Sequence, residues 1–455
     1  MRSGVQRMRR AGKMVGVAIV AAALMAASSS VSARPMAVSI YPNLDQARGS
    51  GFHLLAGHAP FTVDFRAEVE GGSGGLTYAW DFDGDRVYDS RVRDPAPFTY
   101  TEPGPHTALV RVSDVLQGKQ VTAEQRVVAI GDSKWPGWRF GVSENLAPNA
   151  GEYASDTESE KSARMISEAG IQAVRFDLTW AAIQPKSSNE YRWEDYDYLV
   201  GLSRRHGFDL LPIIAYSSRW ASTATNASNP EDLYFAPPTP SKYAWFAYKA
   251  AERYKDYVRC WEVWNEPNTS GAWRPQPDAA RYAKLLKHAY LAIKYADPNA
   301  VVVSGGLAYG EAAQISPETF LQTLYKEGAG PYFDAVGSHP YTHPSEGTEG
   351  LLRRLTPLRS VMGAHGDQKK PIWLTEYGYY ATPASGVTDR RQGAWLDQSF
   401  HALSSREYVG AIVWYNFREL GTDPNRPLYN FGLVEKDWTA KPAYTAYKNY
   451  IHDSS

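Results

Sequence analysis

Two glutamates are marked out by what precedes them. Glu266 follows the aromatic run Cys260-Trp261-Glu262-Val263-Trp264 inside Asn265-Glu266-Pro267-Asn268, and Glu376 closes Pro371-Ile372-Trp373-Leu374-Thr375 ahead of Tyr377-Gly378. Short apolar runs bounded by turn residues read as buried strands. Two carboxylates at strand ends can work on one carbon: one gives a proton to the departing oxygen while the other attacks or stabilises the carbon. Cleavage of a glycosidic bond needs such a pair. Their environments must differ, so that one stays protonated and the other ionised.

The surrounding elements predict how the pair is positioned. From Arg139 onward, strand-like runs alternate with amphipathic helical ones. Eight strands are expected: Phe140–Ser143, Ala173–Leu178, Asp209–Ala215, Val258–Trp264, Ala300–Gly306, Asp334–Ser338, Pro371–Thr375 and Gly410–Asn416. Helical periodicity lies between them, as in Thr157–Ala169 before Gly170 and Tyr196–His206 before Gly207, each glycine suited to end a helix. Eight such units predict an α/β fold, a (β/α)8 TIM barrel over residues 139–453. Active sites of such barrels form at the C-terminal strand ends. Glu266 and Glu376 end strands four and seven, nearly opposite across the mouth.

On these residues the barrel resembles a clan A glycoside hydrolase. Within that clan it is most similar to family 39 and its exopolysaccharide-cleaving relatives. Trp261-Glu262-Val263-Trp264-Asn265-Glu266-Pro267-Asn268 matches the strand-four signature, and Trp373-Leu374-Thr375-Glu376-Tyr377-Gly378 the strand-seven pattern. The resemblance implies Glu266 as general acid/base, Asn265 on the sugar 2-hydroxyl and Glu376 as nucleophile. It implies Arg175 near the nucleophile, His339 and Tyr341 on nucleophile or sugar, and Trp414 as the aromatic floor of the subsite. A cation at Arg175 would favour ionised Glu376. Trp180, Tyr216, Trp220, Trp273 and Tyr309 lie in loops that could offer stacking platforms.

The N-terminal third reads differently. Arg2, Arg7, Arg9, Arg10 and Lys13 precede the apolar stretch Met14–Ala27 and Val31-Ser32-Ala33, the pattern of a secretory signal over residues 1–33. The apolar stretch is short for a membrane span, for which about 20 residues are needed. An exported, periplasmic or extracellular protein without stable membrane insertion is expected; a retained anchor is the alternative. Residues 34–50 read as a linker. Over residues 51–132 apolar residues alternate with polar ones between turns, which predicts a small all-β, Ig-like sandwich. Tyr78-Ala79-Trp80-Asp81-Phe82-Asp83-Gly84-Asp85 and Val110-Arg111-Val112-Ser113-Asp114 resemble a PKD domain, with W-D-F-D-G-D where that family usually has W-D-F-G-D-G. Asp81, Asp83, Asp85 and Asp89 offer the spacing of hard oxygen ligands that calcium takes. No cofactor is expected otherwise.

Composition narrows the partners. Lys and Arg total 48 against 49 Asp and Glu, a net charge of −1. Removing residues 1–33, which carry five basic and no acidic groups, would leave −6. That balance argues against nucleic acid, whose binding needs basic excess, and against long-range steering of polyanions. The single Cys260 excludes an internal disulfide. The 14 Trp, 30 Tyr and 15 Phe suit sugar stacking or a large core.

The resulting expectation is an exported retaining hydrolase, monomeric and endo-acting on a polysaccharide such as an exopolysaccharide or β-glycan. The long polar segment Tyr216–Pro240 would wall a cleft. The alternatives are an exo-acting β-glycosidase, an inactive carbohydrate-binding barrel, or a scaffold built around the sandwich.

Overall fold

The computed structural model describes residues 35–42, 54–147, 155–224, 233–237 and 239–454. The signal-like residues 1–33 lie outside these, as do residues 225–232 of the segment expected to wall a cleft.

The described residues between 37 and 130 supply eight strands: β1 (Ala37–Pro42), β2 (Leu55–His58), β3 (Phe61–Val63), β4 (Phe65–Glu70), β5 (Leu76–Asp81), β6 (Phe98–Tyr100), β7 (Gly104–Asp114) and β8 (Lys119–Ile130). A four-stranded sheet runs β2-β8-β7-β5, and β1–β4 and β3–β6 form two antiparallel pairs. Alternate residues turn inward to one core of Ile40, Val63, Phe65, Trp80, Val110 and Val127, as the two-residue period of a half-buried strand requires. The expected linker at 34–50 is corrected here. Ala37–Pro42 pairs with Phe65–Glu70, and Met36 and Ile40 are buried. The alternation Met36-Ala37-Val38-Ser39-Ile40 is too short to stand out from its surroundings. His58 packs its ring against Tyr290 and lies 2.8 Å from the Pro331 carbonyl, so this unit rests on the barrel's flank.

The barrel strands are β9 (Phe140–Ser143), β10 (Ala173–Thr179), β11 (Asp209–Ala215), β12 (Cys260–Val263), β13 (Val301–Ser304) with its extension β14 (Leu307–Ala308), β15 (Val336–His339), β16 (Ile372–Tyr377) and β17 (Val409–Tyr415). All pairings are parallel. β17 returns to β9, and a Val303–Ala335 bridge joins the β13 side to the β15 side, so the sheet closes as a (β/α)8 barrel. The outer layer is α1 (Asp156–Glu168), the short α2 (Trp180–Ile183), α3 (Glu194–His206), α4 (Pro240–Tyr254), α5 (Ala279–Ala296), α6 (Pro317–Lys326), α7 (Gly347–Ala364), α8 (Asp389–Ser404) and α9 (Pro442–Ser454). Ser155 caps α1 by accepting the Glu158 N–H, and Gly207 ends α3 in the left-handed region at φ +77°.

Side chains fill the barrel in layers. The floor holds Ala173, Leu211, Cys260, Val301, Val303, Trp373, Ala411 and Val413. Two residues further along each strand points to the same interior. That step brings Arg175, Glu262, Thr375 and Tyr415 into the next layer, with Ser143 in register with Arg175 and Tyr415. The site therefore sits directly on the barrel core.

Candidate active site

Arg175 is the hub of that layer. It is buried, at 4% exposure, and its Nε donates to Glu262 Oε2 at 2.7 Å. Nη2 donates to Glu262 Oε1 at 3.2 Å and to Asn265 Oδ1 at 2.8 Å, and Nη1 donates to Glu376 Oε2 at 2.9 Å. Glu262 is fully buried and also accepts from Thr375 Oγ1 at 3.0 Å and the Gly306 N–H at 2.9 Å. A buried charge persists only when paired and hydrogen-bonded, and Glu262 meets both conditions. It anchors the arginine from below; the arginine then reaches up to Glu376.

The end of β12 is held in an unusual backbone. Trp264 has φ +68° and Glu266 φ +45°, a region that non-glycine residues seldom occupy. Neighbouring bonds fix it. The Glu266 N–H donates to the Gly306 carbonyl at 3.1 Å, Trp264 Nε1 donates to the Ala272 carbonyl at 2.9 Å, and Tyr282 OH donates to the Val263 carbonyl at 2.8 Å. Gly306 has to be glycine because a Cβ there would lie 2.0 Å from His339 Nε2.

Over this platform the two expected glutamates meet. Oxygens of Glu266 and Glu376 and a ring nitrogen of His339 all lie within 4.8 Å of one another. His339, fully buried, places Nδ1 3.1 Å from Glu266 Oε1 and Nε2 3.1 Å from Thr375 Oγ1. Tyr341 OH donates to Glu376 Oε1 at 2.7 Å. Glu376 reaches the mouth because the β16–β17 register slips between Leu374 and Tyr377.

Burial raises the Glu266 carboxyl, but the His339 hydrogen bond and nearby Arg175 outweigh it and hold it below the usual glutamate value. Burial works against the Arg175 charge, yet Glu262 and Glu376 more than compensate and the guanidinium stays charged. Burial, with Glu376 beside it, pushes the Tyr341 phenol well up, so it remains a donor. Asp177, one layer above Arg175, is lifted by burial to about 6; Arg175 opposes that rise and Glu376 and Glu262 add to it.

Six expected site residues converge: Glu266, Glu376, Arg175, Asn265, His339 and Tyr341. Two do not. Trp414 is fully buried among Tyr377 and Tyr379 and donates Nε1 to the Phe431 carbonyl. It shares neither face nor parity with the floor residues Ala411 and Val413, so it points into the helix layer. Tyr415 points to the mouth instead. Trp180 is likewise fully buried, stacked on Phe246 at 5.3 Å. Of the other loop aromatics, Tyr216 lines the mouth; Trp273 is buried against Trp264, Trp220 packs edge-on to Trp180, and Tyr309 bonds the Arg354 carbonyl.

The mouth is a pocket of about 280 Å³ whose lining also includes Ser143, Glu144, Asp177, Tyr415 and Asn416. Sequence reasoning missed these five. Strand parity counted from Arg175 would have found Asp177, and parity from Val413 would have found Tyr415. In the N-terminal unit, Asp81, Asp83 and Asp89 offer oxygens within 4.8 Å of one another, a group Asp85 does not join. Both Asp81 oxygens accept backbone N–H groups, from Gly84 and Arg86. These bonds account for the aspartates as loop-formers. Cys260 is a buried thiol in the barrel floor.

Residues 214–432 match the family model described as the glycosyl hydrolase catalytic core. A β-xylosidase of Geobacillus stearothermophilus is 26% identical over 221 residues, which is 43% of this chain and 42% of that protein. The match thus spans less than half of that relative. Among solved structures, a family 39 glycoside hydrolase from Bacteroides cellulosilyticus WH2 superposes with a TM-score of 0.57 at 22% identity, over 88% of this chain and 81% of that one. A glucosidase from Croceicoccus marinus superposes at 0.52 with 16% identity, over 71% and 70%. Residues 214–432, the stretch similar to that catalytic-core model, run from the end of β11 past β17 in the (β/α)8 barrel and carry both glutamates.

Proposed function

We propose that the chain is an exported retaining glycoside hydrolase, related to family 39, that cuts within a polysaccharide. The observation carrying this reading is the approach of the Glu266 and Glu376 oxygens to within 4.8 Å. Double displacement uses carboxyl groups about 5–5.5 Å apart, whereas inversion needs about 6.5–9.5 Å to admit a water. Glu376, held by Arg175 and Tyr341, attacks the anomeric carbon as the carboxylate. Protonated Glu266 gives its proton to the departing oxygen. Glu266, now ionised and bonded to His339, then takes a proton from the water that releases the sugar from Glu376. Asn265, oriented by Arg175, is available to the sugar hydroxyl next to the reacting carbon. Export rests on the basic and apolar pattern of residues 1–33. A PKD-like role for the strand unit rests on its tryptophan–aspartate motif.

Product analysis on a panel of bacterial exopolysaccharides and plant β-glycans tests the reading. New reducing ends with a spread of oligosaccharide lengths are expected, and they should vanish in Glu266→Gln and Glu376→Gln. Undiminished hydrolysis by Glu266→Gln would refute the acid/base role. Release of single sugars only would refute internal cutting.

A further inference from the structure

The mouth pocket is one-sided in its chemistry. Among the described residues four carboxylates line it, Glu144, Asp177, Glu266 and Glu376, against one cation, Arg175. That cation is committed to Glu262, Glu376 and Asn265. On the side formed by the neighbouring strands β17, β9 and β10, acceptors stand without donors among the described residues. Asn416 is 3% exposed and its Oδ1 has no hydrogen-bond partner, while its Nδ2 is used on the Arg418 carbonyl at 2.7 Å. Ser143 is 7% exposed and its Oγ is unpartnered. The Asp177 carboxylate, in the same pocket, has only charge interactions. Buried polar atoms without partners are costly in a folded protein and call for an explanation. Here a ligand carrying several donors and positive charge would pair with Asp177, and with the Asn416 and Ser143 oxygens, which are closed to solvent in this structure, once those two side chains turn toward it.

We infer that this pocket selects a sugar bearing a free amine, with the ammonium group seated against Asp177 and the acceptor oxygens of Asn416 and Ser143. An ammonium brings three donors and no acceptor, matching the vacant partners. Its charge offsets the carboxylate excess in a low-dielectric setting, where attraction is strong. N-acetylation would remove that charge, and a uronic acid would meet four carboxylates with no uncommitted cation among the described lining residues. This inference rests on the glycosidase reading for its reaction, but the pocket's preference can be read without turnover. Asp177 is a specificity residue in this scheme.

Binding to the wild-type protein is measured by calorimetry or ligand-observed NMR for glucosamine, galactosamine and mannosamine, each beside its parent hexose and its N-acetyl form. At least one amine is expected to bind about ten-fold or more tightly than both counterparts, a gap that added salt narrows. Asp177→Asn, a near-isosteric change, should erase the gap. If no amine exceeds both counterparts, if none of the sugars binds at millimolar concentration, or if the preference survives Asp177→Asn, the inference is overturned. A reducing-end assay on one hexosamine polymer, before and after chemical de-N-acetylation, separates the two readings. Amine preference with no reducing ends from any polymer would sink hydrolysis and leave the pocket's selectivity standing. Reducing ends without amine preference would do the reverse.

Discussion

His339 Nδ1 lies 3.1 Å from Glu266 Oε1, while its Nε2 lies 3.3 Å from Arg175 Nη2. An ionised carboxylate can only accept, so against ionised Glu266 the ring carries a proton on Nδ1 and donates it. Such a donor stabilises the ionised form. It suits the second half of the proposed reaction, in which Glu266 would act as base, and it makes the proton needed in the first half scarce as pH rises. The basic limb of kcat/KM, which reports the free enzyme's acid, should therefore lie on the acidic side.

His339→Phe removes the Nδ1 donor and should move that limb to higher pH, because Glu266 then keeps its proton longer. A pH–rate profile on one substrate reads this shift whatever the absolute rate. A limb that stays in place would mean that His339 does not set the proton affinity of Glu266.

Arg175 and Glu262 should be strongly coupled in stability. Arg175→Met leaves Glu262 buried and uncompensated, at a cost of about 3–5 kcal/mol. Adding Glu262→Leu removes the orphaned charge and should recover most of that loss, as read by denaturant midpoints. Activity should not recover in the double variant, because Glu376 has lost its cation and its orientation. Additive destabilisation would contradict the pairing.

Tyr341→Phe deletes a donor to the Glu376 carboxylate and little else. Hydrogen bonds to charged groups contribute about 1.5–3 kcal/mol, so losing this one from the resting fold should lower the melting temperature, and losing it where Glu376 is held for attack should lower kcat by up to about ten- to hundred-fold. A variant with wild-type kcat would remove Tyr341 from the machinery.

Asp177 should make the protein less stable at neutral pH. Its carboxyl titrates near 6 in the fold rather than 3.8, so between those values the folded state binds the extra proton. Stability contributed by this residue therefore falls as pH rises from about 4 to 6 and stays low above that. Asp177→Asn should be more stable than wild type at pH 8, by on the order of 1–3 kcal/mol, with the gap closing below pH 4. Equal stability at both pH values would contradict the raised affinity. A residue retained at such a cost is typical of a functional site.

The barrel and the pairing of Glu266 with Glu376 at its mouth were legible because they depend on local patterns: short apolar runs, glycine stops and glutamates at strand ends. What the sequence concealed was parity inside the barrel. Barrel strands are buried on both faces, so periodicity does not say which residues face inward. Trp414 and Tyr415 are adjacent, and only the register with the floor residue Val413 shows that Tyr415 faces the mouth. For the same reason the aromatic surplus misled. Trp180, Trp261, Trp264, Trp273, Trp373 and Trp414 are all fully buried in the barrel and its loops, where they are core rather than sugar platforms. The unpartnered atoms of Ser143 and Asn416 have no sequence signature, because a missing partner appears only once the chain is folded.

The most direct measurement is the stereochemistry of the first product. Proton NMR of a fresh digest, recorded before mutarotation, identifies the anomer released from a substrate of known configuration. Double displacement by Glu376 and Glu266 predicts that the released sugar keeps the configuration of the bond that was cut. Release of the opposite anomer would contradict Glu376 as nucleophile, however close the two carboxylates lie.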